Sequence, residues 1–179
     1  MRALALAITA MLLAACDSND VPSPAERLEG EVAAPVDEGQ VSLRADGLTA
    51  GAESFFFAAG QAEVETALTR VLGAPSQTAE MEECGAGPMN SASYADGLTV
   101  NFQDGILVGW FVQEASPDIA VSADVALEMP RDQLEALPGY SPIADSTLGE
   151  EFVISGQIAG FVEGDAVSTL YAGTQCFFR

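Results

Sequence analysis

The chain has 179 residues, of which 27 are acidic and six are arginine, while lysine and histidine are absent, so the formal net charge is -21. Such a surface repels nucleic acid, whose binding depends on lysine and arginine side chains that replace phosphate counterions. Without histidine there is no Ser-His-Asp triad, no Cys-His pair and no H-E-x-x-H zinc site. Without lysine there is no Schiff-base amine and no Walker-type phosphate lysine.

The N-terminus has the pattern of an export signal. Met1-Arg2 precedes an apolar run, Ala3–Ala15, which is too short to cross a bilayer because a spanning helix needs about 20 residues. The end of this run, Leu13-Ala14-Ala15-Cys16, resembles the lipobox of bacterial lipoproteins. The resemblance implies that residues 1–15 are a cleaved signal peptide and that Cys16 receives a diacylglycerol thioether and an acylated amino terminus. An ordinary signal peptide with an incidental cysteine is the alternative.

Acylation at Cys16 would make a membrane the first partner of the protein, because two or more acyl chains hold a protein on a bilayer where one chain holds it only marginally. We therefore expect the mature protein on the periplasmic face of a bacterial membrane. In enterobacterial lipoproteins an aspartate directly after the lipidated cysteine marks retention in the inner membrane. Asp17 favours the inner membrane on that rule, which varies between bacterial groups, so the choice of membrane stays open.

Residues 16–40 are predicted to be the lipidated cysteine and a disordered acidic tether. The segment from Asp17 to Gln40 holds seven acidic residues, one arginine and three prolines, and its apolar residues are small apart from one leucine. Burial of so little apolar surface cannot offset the entropy lost on ordering. A recognition peptide for a partner is the functional alternative.

Residues 41–179 are predicted to form one globular domain, since 139 residues suffice for a single hydrophobic core. A helix is predicted at Ala62–Leu72, where apolar residues recur at helical spacing before Gly73 and Pro75. A second, short helix is predicted at Arg131–Leu137. The predicted strands are Val41–Leu43, Phe55–Phe57, Thr78–Cys84, Leu98–Phe102, Ile106–Val112, Phe152–Ile154, Ile158–Val162 and Ala166–Tyr171.

Two pairs of these strands are separated by turn residues, which predicts two hairpins, with turns at Gln103-Asp104-Gly105 and Glu163-Gly164-Asp165. The hairpins align weakly when Phe102–Gly105 is placed over Phe161–Gly164, and a chance match stays open. A true repeat would give two α-β-β-β units that share one sheet. The predicted fold class is therefore α+β, with two layers, an antiparallel sheet and helices on one face. This outline resembles, in element order, small periplasmic folds of the β-lactamase-inhibitor and outer-membrane-assembly lipoprotein type.

Cys84 and Cys176 remain once Cys16 is assigned to lipid. An even pair in an oxidising compartment predicts a disulfide, which would close a loop of roughly 92 residues. The alternative makes Cys84 a nucleophile. A catalytic thiolate needs a base or a positive neighbour, whereas Glu82 and Glu83 lie beside Cys84 in the sequence.

Five short motifs occur together in residues 41–179. They are Glu83-Cys84-Gly85-Ala86-Gly87-Pro88, Asp96-Gly97-Leu98-Thr99, Gly109-Trp110, Leu148-Gly149-Glu150-Glu151-Phe152 and Ala172-Gly173-Thr174-Gln175-Cys176-Phe177-Phe178-Arg179. The set resembles an uncharacterised family of small secreted or lipid-anchored alphaproteobacterial proteins, some of which are labelled aspartate-semialdehyde dehydrogenase. That enzyme requires a histidine base and an NADP-binding loop, and this chain has no histidine and no complete G-x-G-x-x-G motif. The dehydrogenase label therefore does not fit, and no cofactor is predicted.

Two alternatives to a binding role depend on carboxylates. Adjacent pairs such as Glu82-Glu83 and Glu150-Glu151 could serve a small hydrolase, although such pairs are usually solvated. A Ca²⁺ site would use oxygen ligands, for which Asp104, Asp145, Glu163 and Asp165 are candidates without EF-hand spacing.

Aromatic residues are concentrated at Trp110-Phe111 and at Phe55–Phe57. The sequence leaves open whether these side chains pack in the core or form an exposed patch that binds a partner. We expect a lipid-anchored protein of the cell envelope that acts as a non-catalytic binding or structural module. An envelope protein is its candidate partner. The sequence leaves open whether the protein is an enzyme.

Overall fold

A computed structural model describes residues 39–177 of the chain. The predicted signal peptide, Cys16 and all but the end of the predicted tether lie outside the described residues. Within residues 39–177 no helix is both long enough and apolar enough to cross a membrane.

The described residues form twelve strands and two α-helices. The helices are α1, Gln61–Leu72, and α2, Arg131–Glu135. The strands are β1 Val41–Arg44, β2 Gly47–Ala50, β3 Glu53–Phe56, β4 Gln77–Met81, β5 Met89–Ser93, β6 Leu98–Gln103, β7 Ile106–Val112, β8 Ile119–Val121, β9 Tyr140–Pro142, β10 Glu150–Ile154, β11 Ile158–Glu163 and β12 Ala166–Gly173.

Eight strands form one large antiparallel sheet in the order β4-β5-β6-β7-β12-β11-β10-β9. The sheet consists of two meanders, β4 to β7 and β9 to β12, which meet where β7 pairs with β12. One helix precedes each meander in the chain. The predicted antiparallel sheet is confirmed, and each half of it has four strands where the predicted unit had three.

A second sheet of four strands has the order β3-β2-β1-β8, and its β1 and β8 run parallel. It shares one hydrophobic core with the large sheet and the two helices. The prediction of an α+β fold with a layer of helices on one face is therefore not supported, although its antiparallel sheet is present. The helices have only 12 and 5 residues, and the described chain is predominantly β.

Helix α1 is amphipathic, as the sequence predicts. Its residues Val64, Ala67 and Leu68 are buried in the core, while Arg70 on the outer side forms an ion pair with Glu53. The helix ends at Gly73, whose N–H donates to the carbonyl oxygen of Thr69 at 3.1 Å. The backbone of Gly73 has a φ of 84°, which favours glycine.

The two halves of the large sheet contain matching hairpins, but in a different register from the sequence alignment. The β6–β7 turn is Asp104-Gly105 and the β11–β12 turn is Gly164-Asp165. In both hairpins the register shifts two residues before the turn, at Asn101/Phe102 and at Phe161/Val162. Phe102 therefore corresponds to Val162, and the alignment of Phe102 with Phe161 is wrong by one residue, because it matched glycines rather than turn positions.

Trp110 joins the two sheets. It is completely buried on β7, and its Nε1–H donates to the carbonyl oxygen of Arg44 on β1 at 2.7 Å. This hydrogen bond gives the buried indole N–H an acceptor and links β7 to the end of β1. Trp110 is therefore a core residue and not part of an aromatic patch.

Candidate functional site

An apolar pocket lies where β7 ends and the chain passes to β8. Its apolar side chains are Val112, Ile119, Val121, Val125 and Leu127, and Glu114 lies at its edge. Its volume is about 270 Å³, whereas a cavity of about 150 Å³ already accommodates benzene. The pocket is therefore large enough for one bulky apolar side chain.

An acidic pocket of about 570 Å³ adjoins the apolar pocket and shares Glu114, Ala115 and Leu127 with it. Two further carboxylates, Glu128 and Glu163, line this second pocket. No arginine of the described chain lines either pocket. The two pockets together form an apolar recess beside three carboxylates.

Gly97 fixes the position of Glu114. Gly97 has a φ of 68°, and a Cβ at this position would lie 2.8 Å from the backbone nitrogen of Glu114 and 2.9 Å from its Cβ. The N–H of Gln113 donates to the carbonyl oxygen of Gly97 at 3.3 Å. Glycine therefore permits a close approach that places Glu114 at the junction of the two pockets.

The other two carboxylates are fixed by backbone pairing with β12. The N–H of Glu128 donates to the carbonyl oxygen of Val167 at 2.8 Å, and the N–H of Val167 donates to the carbonyl oxygen of Met129 at 2.9 Å. Glu163 is the last residue of β11 and pairs with Ala166 across the hairpin. Three separate segments of the chain thus bring Glu114, Glu128 and Glu163 to one place.

The arginines of the described chain are all engaged elsewhere. Arg44 pairs with Asp46 and Arg70 with Glu53. Arg131 pairs with Glu150 and Asp165, and its guanidinium lowers the pKa of the Glu150 carboxyl. None of these ion pairs involves a carboxylate of the acidic pocket, so the described arginines do not neutralise the pocket.

The fold brings Cys84 and Cys176 side by side. Cys84 is buried in the turn after β4, and Cys176 is half-buried in the segment that follows β12. Both are free thiols in the structure and are not bonded to each other. Burial and the adjacent thiol of Cys84 raise the pKa of Cys176 to about 11. The two thiols are close enough to interact but are not at disulfide distance, so the disulfide is absent from the structure and stays a prediction.

The C-terminal segment, Thr174–Phe177, lies across the face of the large sheet that points away from the core. Asn101 Nδ2–H donates to the carbonyl oxygen of Thr174 at 3.2 Å and to Oε1 of Gln175 at 2.9 Å. Gln175 Nε2–H donates to the carbonyl oxygens of Trp110 and Ala172. Phe177 packs edge-on against Tyr171 and against Phe161. Cys176 is thus in the middle of an anchored segment.

The adjacent pair Glu150-Glu151 points to opposite faces of β10, as neighbours on a strand do. Glu150 is exposed and pairs with Arg131, whereas Glu151 is buried and accepts a hydrogen bond from the hydroxyl of Tyr171. The two carboxylates therefore do not face one substrate. Glu82 and Glu83 are exposed in the turn after β4.

The candidate Ca²⁺ ligands are dispersed. Asp104 lies in the β6–β7 turn, Asp145 lies between β9 and β10, and Glu163 and Asp165 lie at the β11–β12 turn. Within residues 39–177 no group of three or more histidine, cysteine or acidic side chains is arranged to hold a metal ion.

Among Phe55–Phe57, Trp110 and Phe111, the candidates for either the core or an aromatic patch, only one ring is well exposed. Phe55 is buried, whereas Phe56 is 59% exposed on β3 and lies under the guanidinium of Arg44.

No pattern in the sequence indicated the two pockets. Their residues come from the chain between Val112 and Glu128 and from the β11–β12 hairpin, and the segment Ser122–Glu128 follows no helical or strand pattern. The one usable signal was Asp96-Gly97, which marks a turn and proved to contact Glu114.

We compared the chain with protein-family models, with curated proteins and with solved structures, and none of them matches it.

Proposed function

We propose that the protein is a lipid-anchored binding module of the bacterial cell envelope, which docks a partner protein at the joined apolar and acidic pockets. The observation that carries the binding role is an apolar recess fixed beside three carboxylates that no described arginine neutralises. Recesses of this kind, with an apolar interior and a few polar groups, are the usual form of binding sites. The anchor rests on the lipobox-like sequence that ends in Cys16.

The cysteine pair supports a location outside the cytoplasm. Residues 84 and 176 are far apart in the sequence, yet their thiols adjoin in the fold, as expected of a pair that oxidises. The acidic tether would hold the domain away from a membrane surface, because anionic lipids repel it. We propose the disulfide between Cys84 and Cys176 as part of the mature protein.

The anchor is tested by intact-mass analysis of the protein isolated from its own membrane. The proposal expects a chain that begins at Cys16 and carries the added mass of a diacylglycerol and an acyl group. The variant Cys16→Ser, expressed in the same cells, should be unprocessed and should lack the lipid. A native protein that retains Met1 would contradict the proposal.

The binding site is tested by photo-crosslinking in intact cells. A photo-reactive residue replaces Ala126, an exposed residue that lines the apolar pocket, and in a control it replaces Ala52, which is exposed in the β2–β3 turn. We expect one discrete crosslinked protein from position 126, absent from position 52, and lost when Glu114 is changed to Arg. Equal crosslinking from both positions would contradict a docking role for the pockets.

A further inference from the structure

We infer that the segment docked in the two pockets is basic, with one bulky apolar side chain flanked by arginine or lysine. This inference rests on the proposed function and names the chemistry of the partner. The apolar side chain would enter the apolar pocket, and the flanking cations would face Glu114, Glu128 and Glu163. The structure holds each half of this arrangement in place without the partner.

The apolar half is a formed recess. Val112 and Val125 are 1% and 2% exposed and Ile119 is 9% exposed, so the core itself supports the base of the pocket. Leu127 and Val121 are partly buried and pack against that core. A bulky apolar side chain that enters the recess would leave water itself and would cover the exposed parts of Val121 and Leu127, at about 25 cal/mol per Å² of apolar surface.

The acidic half is oriented by the backbone. Glu114 is placed by Gly97, and Glu128 is placed by its backbone pairing with Val167. Glu163 is placed by the β11–β12 hairpin. Arg131 lies close in sequence to Glu128, but its guanidinium pairs with Glu150 and Asp165. The other two described arginines pair with Asp46 and Glu53, so no described arginine forms an ion pair with a carboxylate of the acidic pocket. A basic partner would therefore meet carboxylates that have no internal partner to lose.

Charge excludes the other candidate occupants. A second copy of this chain carries the same net charge of -21 and would be repelled. The N-terminal segment from Asp17 to Gln40 has seven acidic residues and one arginine, so it is repelled as well. Anionic lipid headgroups and nucleic acid fail for the same reason. A cationic protein segment is the occupant whose charge complements the site.

The experiment measures binding of the purified full-length protein to a short fluorescent peptide in which one leucine is flanked by arginines. Two control peptides replace the arginines by glutamine or the leucine by serine. The test variant combines Glu114→Gln, Glu128→Gln and Glu163→Gln. A matched control variant combines Glu63→Gln, Glu80→Gln and Glu82→Gln, which changes the net charge equally at exposed sites away from the pockets. Thermal unfolding checks that every variant is folded.

We expect the test variant to bind the arginine peptide about tenfold more weakly than the natural chain, and the matched control to bind it almost normally. A second variant, Ala126→Trp, fills the apolar pocket from an exposed position and should weaken the leucine peptide but not the serine peptide. Binding should fall with added salt.

Three results would overturn the inference. The first is that both triple variants weaken binding of the arginine peptide equally. The second is that the glutamine peptide binds as tightly as the arginine peptide, and the third is that Ala126→Trp does not change binding of the leucine peptide. If the crosslinking at position 126 still yields a discrete partner in any of these cases, the proposed function stands and only the basic character of the partner is wrong. If that crosslinking fails while the arginine peptide binds as expected, the proposed function falls and the inference on the chemistry of the pockets stands.

Discussion

Gly97 and Gly109 show how single glycines permit close approaches in this protein. A Cβ at Gly97 would collide with Glu114, and a Cβ at Gly109 would collide with the carbonyl oxygen of Thr174 in the C-terminal segment. Both glycines belong to the five short motifs of residues 41–179, Gly97 to Asp96-Gly97-Leu98-Thr99 and Gly109 to Gly109-Trp110. These motifs are therefore explained in part by packing, since their residues hold together segments that are distant in the sequence.

The contribution of the contact at Gly97 can be isolated with a second glycine. Gly105 also lies in a turn with a positive φ, 76°, but a Cβ there would meet no atom within 4 Å. Gly105→Ala should cost about 1 kcal/mol, the backbone penalty alone. Gly97→Ala should cost at least about 1 kcal/mol more, because Glu114 must move.

Urea unfolding of the two variants and of the natural chain gives the measurement. Equal destabilisation by the two alanines would show that Gly97 does not position Glu114. The Gly97→Ala variant should also bind the arginine peptide more weakly, whereas the Gly105→Ala variant should not.

Among the elements, those with local signals were predictable. Helix α1 was predicted at residues 62–72 and occupies 61–72, because both its periodicity and its terminating glycine are local. The hairpin of β6 and β7 was predicted from Asp104-Gly105, and its turn is at those residues. The strand predicted at Thr78–Cys84 is β4, Gln77–Met81, and Cys84 lies in the turn beyond it.

Other elements depend on partners distant in the sequence and were missed. Strand β5, Met89–Ser93, has small or polar residues at every position after Met89 and pairs between β4 and β6. Strand β8 has three residues and forms by parallel pairing with β1. Strand β9 contains Pro142 and lies at the sheet edge, where a missing N–H is tolerated. The two pockets form only when segments distant in the sequence come together, so no local sequence pattern could predict them.

The C-terminal segment should be joined covalently to the β4–β5 turn in the mature protein. We expect thiol titration of the denatured, unreduced protein to find no reactive thiol at Cys84 and Cys176. Reduction should lower the free energy of unfolding by about 4 kcal/mol, the entropy of closing a loop of this length. The double variant Cys84→Ser and Cys176→Ser should unfold as the reduced protein does, with no further effect of reductant. Two reactive thiols in the native protein would refute the disulfide.

The reduced protein should lose stability in alkali. Its Cys176 has a pKa raised to about 11 from an ordinary value near 9, so the folded state keeps a proton that the unfolded state releases first. The contribution of this proton to stability is complete below about pH 9 and is lost as the pH rises through about 11.

The measurement is urea unfolding of the reduced chain across this pH range, with Cys176→Ser as the control. Tyrosines titrate in both proteins, so the difference between them isolates the thiol. A difference that does not change with pH would contradict the raised pKa.

At the scale of the whole molecule, the dominant feature is the charge of one sign. The described residues include three arginines and twenty acidic residues, and the three arginines are paired. The remaining carboxylates repel one another, and this repulsion favours the unfolded chain.

Sodium chloride should therefore stabilise the protein. Raising the ionic strength from low salt to about 0.15 M shortens the screening length to about 8 Å and should raise the unfolding temperature by about 3 °C, which corresponds to roughly 1 kcal/mol. Calcium chloride at the same ionic strength should have the same effect. A larger stabilisation by millimolar Ca²⁺ would favour the cation-binding alternative.

The last strand of the chain, β12, lies in the middle of the large sheet, between β7 and β11. Until Ala166–Gly173 are synthesised, the first meander ends on the open edge of β7, a strand of seven residues of which six are aliphatic or aromatic. Open edges of this kind recruit strands from other chains. Chains interrupted before β12 are therefore expected to aggregate, and productive folding must wait until β12 has been synthesised. Loss of β12 by proteolysis would expose the edges of β7 and β11 at the same time, because β12 pairs with both strands.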